Sequence, residues 1–207
     1  MLISEFIFKT KTLLLKKEKQ MKQALLILTF FTISLSTQSQ TTSVEKSTFG
    51  VQTGFLGIWA HNESRLSNSI ALRSEIGLDA GIWGNDIYDS YGFLLAPVIT
   101  LEPRWYYNLN KRADKSRRTD GNSGNFVSIK TSYHPDWFII ANEDNINFIS
   151  DISIVPTWGI RRHLGNHFTY EAGIGVGYVH YLEDFDRGIL KTSDVAVNLH
   201  LRIGYRF

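Results

Sequence analysis

The chain has 207 residues, 22 Lys and Arg against 20 Asp and Glu, and no cysteine. That length suits one domain, and the near balance of charge gives no reason to expect a nucleic-acid partner. Without cysteine there is no disulfide, thiol nucleophile, Cys-ligated zinc or lipidated cysteine of a bacterial lipoprotein.

The first element is a leader. Lys16, Lys17, Lys19 and Lys22 precede the apolar run ALLILTFFTISL, residues 24 to 35, and Thr37 and Ser39 are small residues suited to cleavage before Gln40. A basic stretch, a short apolar core and small residues at the cut are the marks of a signal peptide, and the run is short for a spanning helix. MKQALLILTFF is a complete signal start by itself, which makes Met21 the expected initiator. Residues 1 to 39 are therefore expected to be removed, leaving residues 40 to 207; a signal anchor that stays attached is the alternative. The leader carries six Lys and two acids, so the mature chain has 22 − 6 = 16 basic and 20 − 2 = 18 acidic residues, a net charge of −2.

Beyond the leader the dominant pattern has period two, the signature of strands with one apolar face. Candidate strands cover 49 to 60, 69 to 83, 93 to 107, 125 to 139, 150 to 161, 168 to 178 and 194 to 207. The stretches between them are turn-like: HNESRLSNS, GNDIYDS, NLNKRADKSRRTDGNSGN, ANEDNIN, HLGN and LEDFDRGILKTSD. The first candidate alternates least cleanly, and residues 45 to 66 have room for two shorter strands bent at Gly54 or Gly57. Strands of ten to fifteen residues exceed the usual length in soluble sandwiches and suit a tilted bilayer crossing.

The polar faces carry six bases (Arg73, Arg104, Lys130, Arg161, Arg202, Arg206) and six acids (Glu75, Asp79, Glu102, Asp136, Asp151, Glu171). A balanced set can pair across a narrow lumen. Trp59, Trp83, Trp105, Tyr107, Trp137, Tyr178, Tyr181 and Tyr205 fall near strand ends, as an interfacial aromatic belt would. Together these features predict an all-β protein: a closed antiparallel transmembrane β-barrel of about eight strands. The alternative is a secreted β-sandwich with a charged solvent face. Pro97, Pro103, Pro135 and Pro156 all fall inside candidate strands, and a closed barrel has no edge to host them.

The ending LHLRIGYRF alternates to its last residue, with Leu199, Leu201, Ile203, Tyr205 and Phe207 on one face. It resembles the C-terminal signature of bacterial outer-membrane β-barrels. The stretches EPRWYYNLNKR and NSGNFVSIKTSYHPDWF look like a group of small outer-membrane barrels of the OmpA/OmpX-type architecture. The resemblance implies that the last strand is read by the barrel-assembly machinery and closes the ring against the first. It also implies an even strand number, with HLGN, residues 108 to 124 and HNESRLSNS on the periplasmic side and the other loops outside if the eighth strand lies near the N-terminus; if it lies further along, the sides upstream of it swap. It supplies no activity.

Candidate chemistry is sparse. GIGVGY, residues 173 to 178, has the wrong spacing for a dinucleotide fingerprint and reads as small lumen-facing residues. Ser132, His134 and Asp136 share one strand face, where His134 could serve as the base of a lipid hydrolase or acyltransferase; a lumen hydrogen-bond network is the simpler reading. His163, His167, His180 and His200 lack ligand spacing, so no metal and no cofactor are expected. The basic cluster Lys111, Arg112, Lys115, Arg117 and Arg118 suits lipopolysaccharide phosphates if it lies outside, or a solvated loop. Tyr88 and Tyr91 suit an interface anchor or a partner contact. The expected protein is a monomeric, non-enzymatic integral protein of the bacterial outer membrane with a structural, adhesion or surface-interaction role, contacting outer-membrane lipid and lipopolysaccharide. A lipid-modifying enzyme and a narrow channel or apolar-solute transporter are the alternatives.

Overall fold

The computed structural model describes residues 42–85, 90–142, 148–182 and 192–207, excluding the side chains of 82–85 and 90–92. The leader and Tyr88 lie outside the described residues, as do the side chains of Trp83 and Tyr91. Among the described residues nine strands are formed: β1 (Ser47–Gly54), β2 (Gly57–Arg65), β3 (Ile70–Asn85), β4 (Ser90–Trp105), β5 (Asn125–His134), β6 (Ile140–Ala141), β7 (Asp151–Leu164), β8 (Phe168–Tyr181) and β9 (Ser193–Arg206). A short helix, α1 (Leu109–Ala113), and a 3-10 turn, Asp120–Asn122, lie between β4 and β5.

All strands but β6 form a closed antiparallel ring, because β9 pairs with β1 as well as with β8. The two-residue β6 only extends the wall beside Leu94 and Leu95 of β4. A circuit of register partners leaves β9 at Tyr205, passes Val51, Ala60, Ile76, Ile99, Tyr133, Ile152 and His180, and returns to β9 at Ser193, a stagger of 12 residues. On eight strands such a stagger requires a tilt near the upper end of the usual range, about 45°.

The eighth strand comes from the chain between residues 47 and 65, which turns at Phe55 and Leu56. Gly57 has φ +141°, a conformation that a side chain resists, and a Cβ there would collide with the Leu78 carbonyl. The glycine thus sets where β1 ends and β2 begins.

Each proline sits where one ladder is already open. The β4–β5 register skips Glu102 and Pro103, and the β7–β8 register skips Val155 and Pro156. Pro97 lies beyond Ile99–Tyr133, where β4 and β5 part, and Pro135 follows the last residue of β5. A residue without an N–H fits where no partner carbonyl awaits it.

Side chains alternate around the whole ring, with the apolar set outward. Leu199, Leu201, Ile203, Tyr205 and Phe207 are exposed on the outer face, Phe207 at 79%. Trp105, Tyr107, Trp137 and Tyr178 are also outward and exposed, and Tyr181 is half-buried. Trp59 departs from the expected belt. It is buried in the lumen, because the turn at 55 and 56 restarts the alternation of β2.

At the end that carries the C-terminus, Val44, Ala71, Tyr106, Leu109 and Phe126 form a small apolar core. Residues 106–124 and 42–46 fold over this opening. The Glu45 amide donates to Asn122 Oδ1 at 2.8 Å, and its carboxylate accepts from the Gly121 amide and from Arg206. The loops after β2 and β7 lie at this end too, so the basic segment 108 to 124 sits beside the C-terminus. Gly57→Val should weaken ring closure by about 1–3 kcal/mol, read as a lower denaturant midpoint of the folded protein, whereas Leu66→Ala in the exposed loop after β2 should leave the midpoint unchanged.

Candidate functional site

The lumen has two compartments. The inner one is a desolvated layer of four arginines and four glutamates: Arg73, Arg104, Arg161 and Arg202 with Glu63, Glu75, Glu102 and Glu171. Alternation points these side chains inward, and ring closure then brings them together. Glu171 takes Arg161 at 2.5 Å, Arg104 at 3.0 Å and Arg73 at 3.5 Å, and accepts from Gln52 Nε2 at 2.7 Å. The oxygen that takes Arg104, Oε2, also meets His200 Nε2 at 2.8 Å. Glu63 takes Arg161 at 2.7 Å and Arg104 at 3.2 Å, and accepts from the Tyr106 hydroxyl at 3.0 Å and Asn122 Nδ2 at 2.8 Å. Glu102 pairs with Arg104, and Glu75 bridges Arg73 and Arg202. Four charges of each sign neutralise the layer, and Tyr106 and Asn122 join it to the closed end.

Glu63 was not legible as a lumen charge, because HNESRLSNS reads as a turn. Its signal is the face Trp59, His61, Glu63, Arg65, which is strand alternation continued to the end of β2. Asp136 is the opposite case. It was expected in the lumen but lies exposed past the end of β5, because the chain leaves the sheet at Pro135. Arg206 is half-buried at the rim, paired with Glu45 at 2.9 Å.

The second compartment is a cavity of about 250 Å³ beyond this layer, lined by Trp59, Asp79, Lys130, Ser132, His134, Asp151, Ser153 and Arg202. Apolar residues also line it, among them Leu56, Ala196, Val197 and Leu199. Arg202 stacks over the Trp59 ring, 3.6 Å from its centroid, and the Trp59 indole donates to Asp79 at 2.5 Å. His134 Nδ1 lies 2.9 Å from Asp151 and Nε2 lies 3.2 Å from Asp79. Only a ring protonated on both nitrogens can donate to both carboxylates.

The Ser132–His134–Asp136 grouping, the alternative to a lumen hydrogen-bond network, is not assembled. Ser132 Oγ bonds to Thr100 Oγ1 at 2.9 Å, both His134 nitrogens face other carboxylates, and Asp136 lies outside. The glycines of GIGVGY lie in β8, where a Cβ on Gly175 would press on Thr157 and the Pro156 carbonyl, the close approach expected of small lumen residues. His163 bonds Ser123, and His167 stacks on Tyr205. In the basic segment Arg112 donates to the Arg118 carbonyl, and Arg118 donates to both oxygens of Asp120. Those hydrogen bonds hold the Asp120 carboxyl below its ordinary range.

Comparison with protein-family models, with curated proteins and with solved structures returns no match for this chain.

Removing one partner from a buried ion-pair layer leaves uncompensated charge, which costs about 3–5 kcal/mol. Glu171→Gln should lower the unfolding free energy of the refolded protein by that order. Adding Arg104→Met should recover part of the loss, measured by denaturant titration of the four members of a double-mutant cycle.

Proposed function

We propose that the chain is a non-enzymatic integral β-barrel protein of the bacterial outer membrane, with a structural, adhesion or surface-interaction role. One observation carries this reading: the barrel is inside-out relative to a soluble protein. Its outward faces are mostly apolar along the strands, while its interior holds four arginines paired with four glutamates. In water such an outer face is a liability; in lipid it is the favoured surface. The long strands, at 14 to 16 residues in β3, β4, β7, β8 and β9, exceed what a tilted crossing needs.

The outward alternate residues from Leu199 to Phe207 suit recognition by the barrel-assembly machinery. The closed end, with the basic segment, then faces the periplasm, and the cavity faces outward. That orientation gives the basic segment no lipopolysaccharide to meet. A through-channel is disfavoured by the Arg–Glu layer, which crosses the lumen and is backed by Tyr106 and Asn122. A lipid-modifying reading needs His134 to take a proton from Ser132, and its ring nitrogens are both engaged elsewhere.

The protein folded in detergent should migrate differently on SDS gels before and after boiling, with a strand-rich circular dichroism spectrum. It should give no conductance steps in planar bilayers. Solubility without detergent, with no mobility shift, would overturn the membrane reading. In cells, deleting Phe207 should lower the heat-modifiable fraction severalfold, whereas refolding of the same variant from urea into detergent should proceed as in wild type; equal yields in cells would argue against the assembly role.

A further inference from the structure

The barrel wall is uneven. β1 and β2 have eight and nine residues, whereas their ring neighbours β9 and β3 have 14 and 16. Pairing of β9 with β1 stops at Arg202–Gly54, and pairing of β3 with β2 stops at Asp79–Gly57. Among the described residues, no strand pairs with Ser193–Leu201 of β9 or with residues 81–85 of β3 on the sides that face each other. The β1–β2 turn thus ends below a notch two strands wide, about 14 Å between strand axes at the usual spacing.

The notch opens into the cavity. Val197 and Leu199 point outward from β9 and are well exposed, yet they line the cavity with Leu56 at the hairpin tip. The cavity therefore reaches the apolar outer surface sideways, while its floor is the closed Arg–Glu layer. An unpaired sheet edge is not stable against hydrocarbon unless it borders a polar cavity or is covered.

Lys130 occupies the polar part of this cavity. It is 9% exposed and, among the described residues, makes no hydrogen bond or ion pair. An ammonium has three donors and no acceptor, and a buried one without a partner is costly. Of the nearby anions, Asp79 is engaged by Trp59 and His134, Asp151 by His134, and Glu75 by Arg73 and Arg202 through Oε2, its Oε1 making no hydrogen bond.

Building on the membrane reading above, we propose that the cavity binds a single-chain amphiphile with a carboxylate head, a fatty acid, which enters through the notch between β3 and β9. The carboxylate takes the donors of Lys130, and the acyl chain leaves past Leu56, Val197 and Leu199 into the bilayer. A singly charged head group adds less negative charge beside Asp79 and Asp151 than a doubly charged one. A doubly charged phosphate monoester would bring a second negative charge beside Asp79 and Asp151, and is disfavoured on that ground.

The test uses the detergent-folded mature barrel with dodecanoate labelled with ¹³C at the carboxyl carbon, read by NMR. Dodecyl phosphate, dodecanol and acetate are the competitors, and Lys130→Met and Ala196→Trp the variants. The wild type should show a saturable carboxyl shift. Lys130→Met should bind about tenfold or more weakly. Ala196→Trp, which fills the cavity from β9, should do the same. Dodecyl phosphate and dodecanol should compete poorly, and acetate not at all. Absence of saturable binding, equal binding by Lys130→Met, or competition by acetate at dodecanoate concentrations would overturn the proposal. Better competition by the phosphate would overturn the choice of head group. Heat-modifiability is measured on every sample. Its loss in the wild type would bring down the membrane reading, whereas its retention with failed binding would bring down the fatty-acid site alone.

Discussion

A closed ring of strands leaves its inward side chains with only one another. When the outward faces are apolar, every polar side chain is directed into a narrow tube. Charges there must cancel and hydrogen-bond within a few ångströms, since desolvated ions without partners are not tolerated. The layer of Arg73, Arg104, Arg161 and Arg202 against Glu63, Glu75, Glu102 and Glu171 cancels its charge four against four, with Glu75 Oε1 and Arg104 Nε left without a hydrogen bond, and the rest of the interior is arranged around it. Tyr106 and Asn122 tie it to the segment that folds over one end, through Glu63. Arg202 ties it to the cavity at the other end, through Glu75 and the face of Trp59.

This division decides which part of the lumen can take a ligand. Below the layer the space is filled by Val44, Tyr106, Leu109 and Phe126. Above it the side chains are smaller and more polar, and the wall is lowered where the β1–β2 hairpin ends. A plugged tube with a side notch opens its upper compartment sideways and not along the axis. The two aspartates in this upper compartment are drawn to His134, and Lys130 makes no hydrogen bond to any described residue.

Local pattern made much of this visible. Period-two alternation placed most of the strands, and Gly54 and Gly57 marked the bend that separates the first two. Parity failed where something reset it. Trp59 follows a turn, so its face is the reverse of that inferred from a continuous strand. Glu63 was hidden because Asn62, Ser64 and Ser67 make the end of β2 look like a loop. Asp136 kept the parity of β5 but lies beyond Pro135, where the strand has left the sheet. The prolines seemed to contradict a closed ring only because sequence does not show where a ladder is interrupted.

By itself the sequence determined the alternating strands, which residues could share a face, and that the polar face carries balanced charge. These are properties of neighbouring residues, and the two-residue repeat of an extended chain expresses them directly. The tertiary structure alone decided which charges meet. Gln52 reaches Glu171 across 119 positions, Arg202 reaches Glu75 across 127, and Arg206 reaches Glu45 across 161. Those contacts depend on ring closure and on the stagger of 12 residues around it, quantities set by the whole sheet and carried by no single strand. The notch arises in the same way, because a short hairpin becomes a gap only when longer strands stand on both sides of it.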